Sequence, residues 1–213
     1  MSETTSKQEK RIQQRIIGAV GAAQFVDAAE GNIISALFPA IKDTLNLSVG
    51  NLGTILSANR ILGLLAQPIW SMLADRYSRK TILIFGTGLW GLWTLIAGFS
   101  GNYQQVLLFT ILSGIGLMAR EGTKGSLIAD SFPREERGKA LGTIWAIASA
   151  GVIIAILIFG PLAEISGLGW RIAFWLFGGL SIISGILIWI LVDEPVRGDS
   201  EEAFDGGTKE VME

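Results

Sequence analysis

The chain of 213 residues contains no cysteine and no histidine. Without thiols there is no disulfide and no cysteine nucleophile. Without imidazole the usual zinc and haem ligand sets and a Ser-His-Asp arrangement cannot be assembled. Neither a cofactor nor an enzymatic activity is therefore expected, and any proton chemistry has to run on carboxylates. Charge is scarce as well, at 17% Asp, Glu, Lys and Arg with a net charge of -2. No basic block lies away from the apolar segments, which argues against a nucleic-acid partner.

What the chain has in abundance is apolar sequence. Half of its residues are hydrophobic and its mean hydropathy is +0.48, arranged in long runs rather than on one helical face. That pattern belongs to integral membrane proteins, with the lipid bilayer as solvent. A window of about 19 residues gives six candidate spans, at 16–41, 49–74, 81–99, 105–130, 140–163 and 170–192. The fold class expected is all-α integral membrane, with six transmembrane helices in a compact bundle. A basic segment 1–15 precedes the membrane domain 16–195, and an acidic tail 196–213 follows it, carrying Glu201, Glu202, Asp205, Glu210 and Glu213. The first span is too long for a cleavable signal and carries two acids. Short connections such as Ser100-Gly101-Asn102 favour antiparallel neighbours.

Lysine and arginine set the orientation. Lys7, Lys10, Arg11 and Arg15 precede the first span, Arg76, Arg79 and Lys80 follow the second, and Arg134, Arg137 and Lys139 follow the fourth. The opposite loops carry only Lys42 and Arg171. Both termini are expected in the cytoplasm, in a multi-pass protein of the plasma membrane. Trp70, Trp145 and Trp189 fit a belt at the inner interface and Trp170 one at the outer. Trp90 and Trp93 fall mid-span, where they are expected to pack on a neighbouring helix.

Charges inside the spans are the functional signal. They are Asp27 with Glu30, Arg60 beside Asn59, and Arg120, Glu121 and Lys124 together. An ionised group at the bilayer centre costs at least about 2.5 to 3.5 kcal/mol, so such residues face a wet cavity or a partner. Helices one and four hold most of them and helices three and six none, the period that a three-plus-three inverted repeat would give. At about 1.5 Å per residue, Asp27 and Arg120 reach similar depths, and so do Glu30 and Arg60. Two acid-base pairs are expected, with Glu121 beside Lys124 as a third. Static ion pairs that only hold the bundle together are the plainer alternative. Read functionally, Asp27 and Glu30 exchange protons, while Asn59, Arg60, Arg120, Glu121 and Lys124 bind a small anionic or zwitterionic solute.

Between the second and third spans the chain reads Ser71-Met72-Leu73-Ala74-Asp75-Arg76-Tyr77-Ser78-Arg79-Lys80. This resembles the loop signature of the major facilitator superfamily, Gly-x-Leu-Ala-Asp-Arg-x-Gly-Arg-Lys, with serine at both glycine positions. The segment from Ala129-Asp130 to Lys139-Ala140 and Gly169-Trp170-Arg171 agree in the same order. The resemblance implies half of that family's fold and alternating access, in which Asp75, Arg76, Arg79, Lys80 and Asp130 form a cytoplasmic gate. Ile156 and Ala163-Glu164 depart from the drug-antiporter pattern. Asp27 with Glu30, Leu62-Gly63-Leu64-Leu65-Ala66-Gln67-Pro68, and Ile115-Gly116 before Arg120 are more similar to Spinster-like and organic-anion members.

A member of that family has twelve helices in two halves, and six are found here. The expectation is a half-size, proton-coupled secondary transporter working as a homodimer. A first half paired with a separate second-half chain, or a non-transporting membrane scaffold or regulator, are the alternatives. The homodimer places Asp75 of one copy against Gly138 and Lys139 of the other. In this cysteine-free chain, an Asp75→Cys variant mixed with a Gly138→Cys variant is expected to give a cross-linked dimer under mild oxidation. Monomer alone across a series of such pairs would sink that assembly.

Overall fold

The computed structural model describes residues 3–165 and 167–192, and their side chains except at 3–9, 75, 79 and 122. The expected acidic tail and the side chains of Asp75 and Arg79 lie outside the described residues. Among the described residues every element is helical. In chain order they are α1 (Glu3–Glu30), α2 (Ile33–Leu45), α3 (Val49–Arg76), α4 (Arg79–Ile84), a π-helical stretch Phe85–Leu89, α5 (Gly91–Ala97), α6 (Tyr103–Ser131), α7 (Arg134–Glu164) and α8 (Gly169–Leu191). Their starts follow local chemistry. Asn102 accepts the Gln105 amide at 3.0 Å and Ser78 that of Thr81 at 3.0 Å, which satisfies N–H groups that the first turn leaves open.

Among the described residues, five helical rods are long and apolar enough to cross a membrane: Val49–Ala74, Lys80–Ala97, Tyr103–Ser131, Arg134–Glu164 and Gly169–Leu191. The first expected span, 16–41, is divided instead. α1 ends at Glu30 and α2 begins at Ile33. The reason is Gly31-Asn32: the Asn32 side-chain amide donates to Ala28 O at 2.7 Å, competing with the main-chain ladder at that point. α1 also runs back to Glu3.

The helices pair in a pattern that survives exchange of the two halves. α1 packs along α7, α3 along α6, and α5 along α8. The first rod of each triplet thus lies on the second of the other, and the third rods lie together, as an inverted repeat requires. Small residues permit these approaches. A Cβ on Gly151 of α7 would lie 2.3 Å from the main-chain oxygen of Phe25 in α1, two residues before Asp27.

The interrupted rod α4–π–α5 carries Trp90, whose main-chain N–H donates to Phe85 O at 3.1 Å, five residues back. Its indole fills the space that Gly116 leaves open and donates to Leu112 O of α6. Trp70 meets it edge-on at 5.3 Å between centroids, while Trp93 stacks on Phe109 at 6.2 Å. Packing of Trp90 and Trp93 is thus as expected, and two of the residues assigned to a belt also find partners within the protein. Trp170 is fully buried and donates to Thr44 Oγ1 at 3.3 Å, and Trp70 donates to Ile115 O at 2.9 Å. In both cases a partner inside the bundle takes the indole N–H that a headgroup would otherwise accept.

Gly151→Ala should therefore push α1 off α7. Gly142→Ala, on the same helix but with open space around it, should not. Thermal unfolding in detergent is expected to show a loss of about 1 to 3 kcal/mol for the first, the usual penalty of overpacking, and almost none for the second.

Candidate functional site

Gln24, Asp27 and Glu30 recur every three residues on α1 and so share a helix face. Opposite them α6 brings Ser113, Arg120, Glu121 and Lys124. Arg120 Nη1 donates to Asp27 Oδ1, and the two side chains are 5% and 3% exposed. The pair expected from depth is thus formed, and neither charge reaches solvent. A charge left in such a place without its partner would carry the desolvation penalty uncompensated.

One turn further along α6, Lys124 Nζ donates to both carboxylate oxygens of Glu121, at 2.9 and 3.0 Å. Gln24 closes this group. Its amide donates to Glu121 Oε1 at 3.2 Å and its carbonyl accepts from Lys124 at 3.3 Å. Lys124 also stands 4.7 Å over the Trp145 ring, so it is held by charge, hydrogen bonds and a π face at once.

The expected pair of Glu30 with Arg60 is not formed. Glu30 accepts the hydroxyls of Thr94 and Ser113 instead. Arg60 is exposed on α3, which packs along α6 and not on α1, and has no ion-pair partner among the described residues. Depth alone could not show which helices face each other. Asn59 beside it donates to Thr110 O at 2.6 Å and so ties α3 to α6.

Two adjoining cavities open between these helices. The first, about 370 Å³, is lined by Glu30, Asn59, Arg60, Thr94, Thr110 and Ser113 among others. The second, about 510 Å³, is lined by Gln24, Asp27, Arg60, Gln67, Glu121 and Trp145 among others. Gly31, Arg60, Leu117 and Met118 belong to both, so the break after α1 and the free guanidinium mark where the cavities meet. Trp145, assigned from sequence to a membrane interface, lines the second cavity.

At the basic end, Arg76 is exposed and Lys80 and Asp130 are half-buried. Arg137 donates to Ala129 O at 2.6 Å and to Phe132 O at 3.0 Å, closing the carbonyl end of α6. Sequence reasoning missed Gln24, Gln67, Thr94, Ser113 and Trp145. The two amides sit in apolar helices with nothing else to explain them and could have been found. Thr94 and Ser113 gave no usable signal, because helix hydroxyls commonly bond their own main chain.

Among the described residues, apolar helices thus enclose interior charges and two cavities lined in part by polar groups. The pattern of the Major Facilitator Superfamily matches residues 20–211, and the chain belongs to that family. Protein spinster homolog 1 of Xenopus laevis is 27% identical over 175 residues, covering 81% of this chain and 33% of the relative. The probable sulfoacetate transporter SauU of Cupriavidus necator is 27% identical over 165 residues, covering 78% of this chain and 38% of the relative. The crystal structure of a bacterial homolog to the human lysosomal transporter Spinster, inward-facing and occupied, superposes with a TM-score of 0.83 at 23% identity. It matches 90% of this chain and 46% of the solved one. The fold is thus half of a superfamily transporter, and the chain spans about a third of the length of these two relatives.

Because Asp27 and Arg120 are buried together, Arg120→Gln should destabilise the folded protein by about 3 to 5 kcal/mol. Asp27→Asn with Arg120→Gln, which removes both charges, should recover much of that loss. Denaturant unfolding in detergent micelles checks the cycle. Additive losses in the double variant would mean that the two charges do not depend on each other.

Proposed function

We propose that this chain forms the solute-binding and proton-coupling half of a secondary transporter for small anionic or zwitterionic organic solutes. The observation that carries the proposal is the buried Asp27–Arg120 pair beside two cavities that share the unpartnered Arg60. Arg60 attracts the negative group of the solute, and Arg120 becomes available to it once Asp27 takes a proton. Proton and solute then compete for one guanidinium, which couples the two fluxes. A relative named for sulfoacetate, a solute of negative charge, supports the solute class.

The same geometry supports a second six-helix unit. Arg60 is exposed on the groove side of α3, and hydrocarbon against it at mid-membrane depth would be costly. Of the apolar rods, α3 is also the least covered, with 11% of its apolar window buried. Another copy of this chain, or a separate second-half chain, covers that face and encloses the path. Asp75, Arg76, Arg79, Lys80 and Asp130 then latch the cytoplasmic side, with both termini in the cytoplasm and the domain 16–195 in the plasma membrane. Alternating access follows from rocking one half against the other.

The chain reconstituted in vesicles, with radiolabelled sulfoacetate as probe, provides the test. Asp27→Asn is expected to abolish proton-driven uptake while leaving exchange of sulfoacetate down its own gradient. Uptake driven by a proton gradient that is the same in Asp27→Asn and the native chain would overturn the coupling.

A further inference from the structure

A third cavity, about 360 Å³, lies between the π-helical stretch and α8 and shares no lining residue with the two described above. Ile84, Phe85, Leu89, Ile182, Ile186 and Trp189 form its walls, and every lining residue is aliphatic, aromatic or glycine. The chain does not fill this groove because two main chains meet at its floor. A Cβ on Gly185 would lie 2.4 Å from Gly88 Cα, so a side chain there would part the helices. The walls stay bare as well: Phe85, Leu89, Ile186 and Trp189 are all exposed.

Position in the membrane says what lies against these walls. Charge on the two rods is confined to their starts, at Arg79 and Lys80 of α4 and at Arg171 of α8. Ile84 and Leu92, the two ends of one wall, are about 12 Å apart at the helical rise. That length fits within one leaflet, about 15 Å or half of a hydrocarbon core. The leaflet is the one at the basic end, because Ile84 closely follows Lys80 and Trp189 lies in the last turn of α8. The medium at that depth is hydrocarbon, so the groove opens onto lipid chains rather than onto water.

The mouth of the groove carries the complement of a lipid head. Lys80 and Ile84 are four apart and share a helix face, which sets the lysine over the open end. A cation at the membrane surface attracts anionic lipids. On the opposite wall the indole N–H of Trp189 has no hydrogen-bond partner among the described residues, and such a donor at headgroup level seeks an acceptor. We propose that this groove is a binding site for an anionic phospholipid, with one acyl chain between the π-helical stretch and α8. Its phosphate pairs with Lys80 and its ester carbonyl accepts the Trp189 N–H. The π-helical stretch is then held from two sides, by the lipid chain against Phe85 and Leu89 and by α6 against Trp90. The site stands apart from the solute path and does not depend on the carrier reading.

Native mass spectrometry of the full chain, released from detergent that holds phosphatidylglycerol and phosphatidylcholine, counts bound lipids directly. One phosphatidylglycerol per chain is expected, retained about fivefold over phosphatidylcholine, the preference that one basic residue gives at a membrane surface. Lys80→Gln should erase that preference, and Trp189→Phe should weaken retention of both lipids. Leu89→Trp, which fills the groove, should remove the bound lipid. Ile183→Trp, exposed on α8 but outside the groove, should keep it. Equal retention of the two lipids by the native chain would overturn the proposal, and so would a loss in Ile183→Trp as large as that in Leu89→Trp. A dimer mass that Leu89→Trp abolishes would overturn it too, because another copy of the chain would then cover this face. If Leu89→Trp does not fold, unchanged retention in both Lys80→Gln and Trp189→Phe overturns the site equally.

Discussion

A charge in the membrane interior must be answered by another group of the protein, and the arrangement of this half-bundle follows from that demand. Asp27 and Arg120 satisfy it directly, each buried against the other. Their contact joins α1 to α6, which otherwise touch little. The remaining interior charges show graded solutions to the same problem. Lys124 is held by a carboxylate, an amide and an indole face. Glu30 is held by hydroxyls, and Arg60 by open space in a cavity. Arg60, the charge without an ion-pair partner among the described residues, is the one that lines both cavities.

The elements that could be read from sequence are those whose cause is local. Long apolar runs fixed the rods, and turn residues such as Asn102 and Ser78 fixed where they begin. The loop signature around Asp75 pointed to the family, depth along the helices found the Asp27–Arg120 contact, and spacing along one helix found Glu121–Lys124. What depth could not supply was azimuth. Glu30 and Arg60 share a level, but α3 packs along α6, and the acid turns to Thr94 and Ser113 instead. Nor did depth show that Trp170 gives its N–H to Thr44 of α2.

Breaks in the rods were equally hidden. Gly31-Asn32 reads as two polar interruptions in a long apolar run, and only the Asn32 bond to Ala28 shows that the helix stops there. The π-helical stretch before Trp90 has no sequence mark beyond two nearby glycines, Gly86 and Gly88. Both interruptions lie close to functional groups: one lines both cavities, the other precedes Thr94. Irregular backbone is tolerated at membrane depth where it is enclosed by protein or faces a water-filled space, and each break meets that condition.

The exchange pattern of the helices has a further implication for the ion pair. α1 and α6 hold the same place in their triplets, so a contact between them lies near the local axis that relates the two. The acid of the pair stands on the first helix of one triplet and the base on the first helix of the other. The two triplets therefore share a pattern of helix pairing and not a pattern of charge, and it is the difference in charge that draws them together.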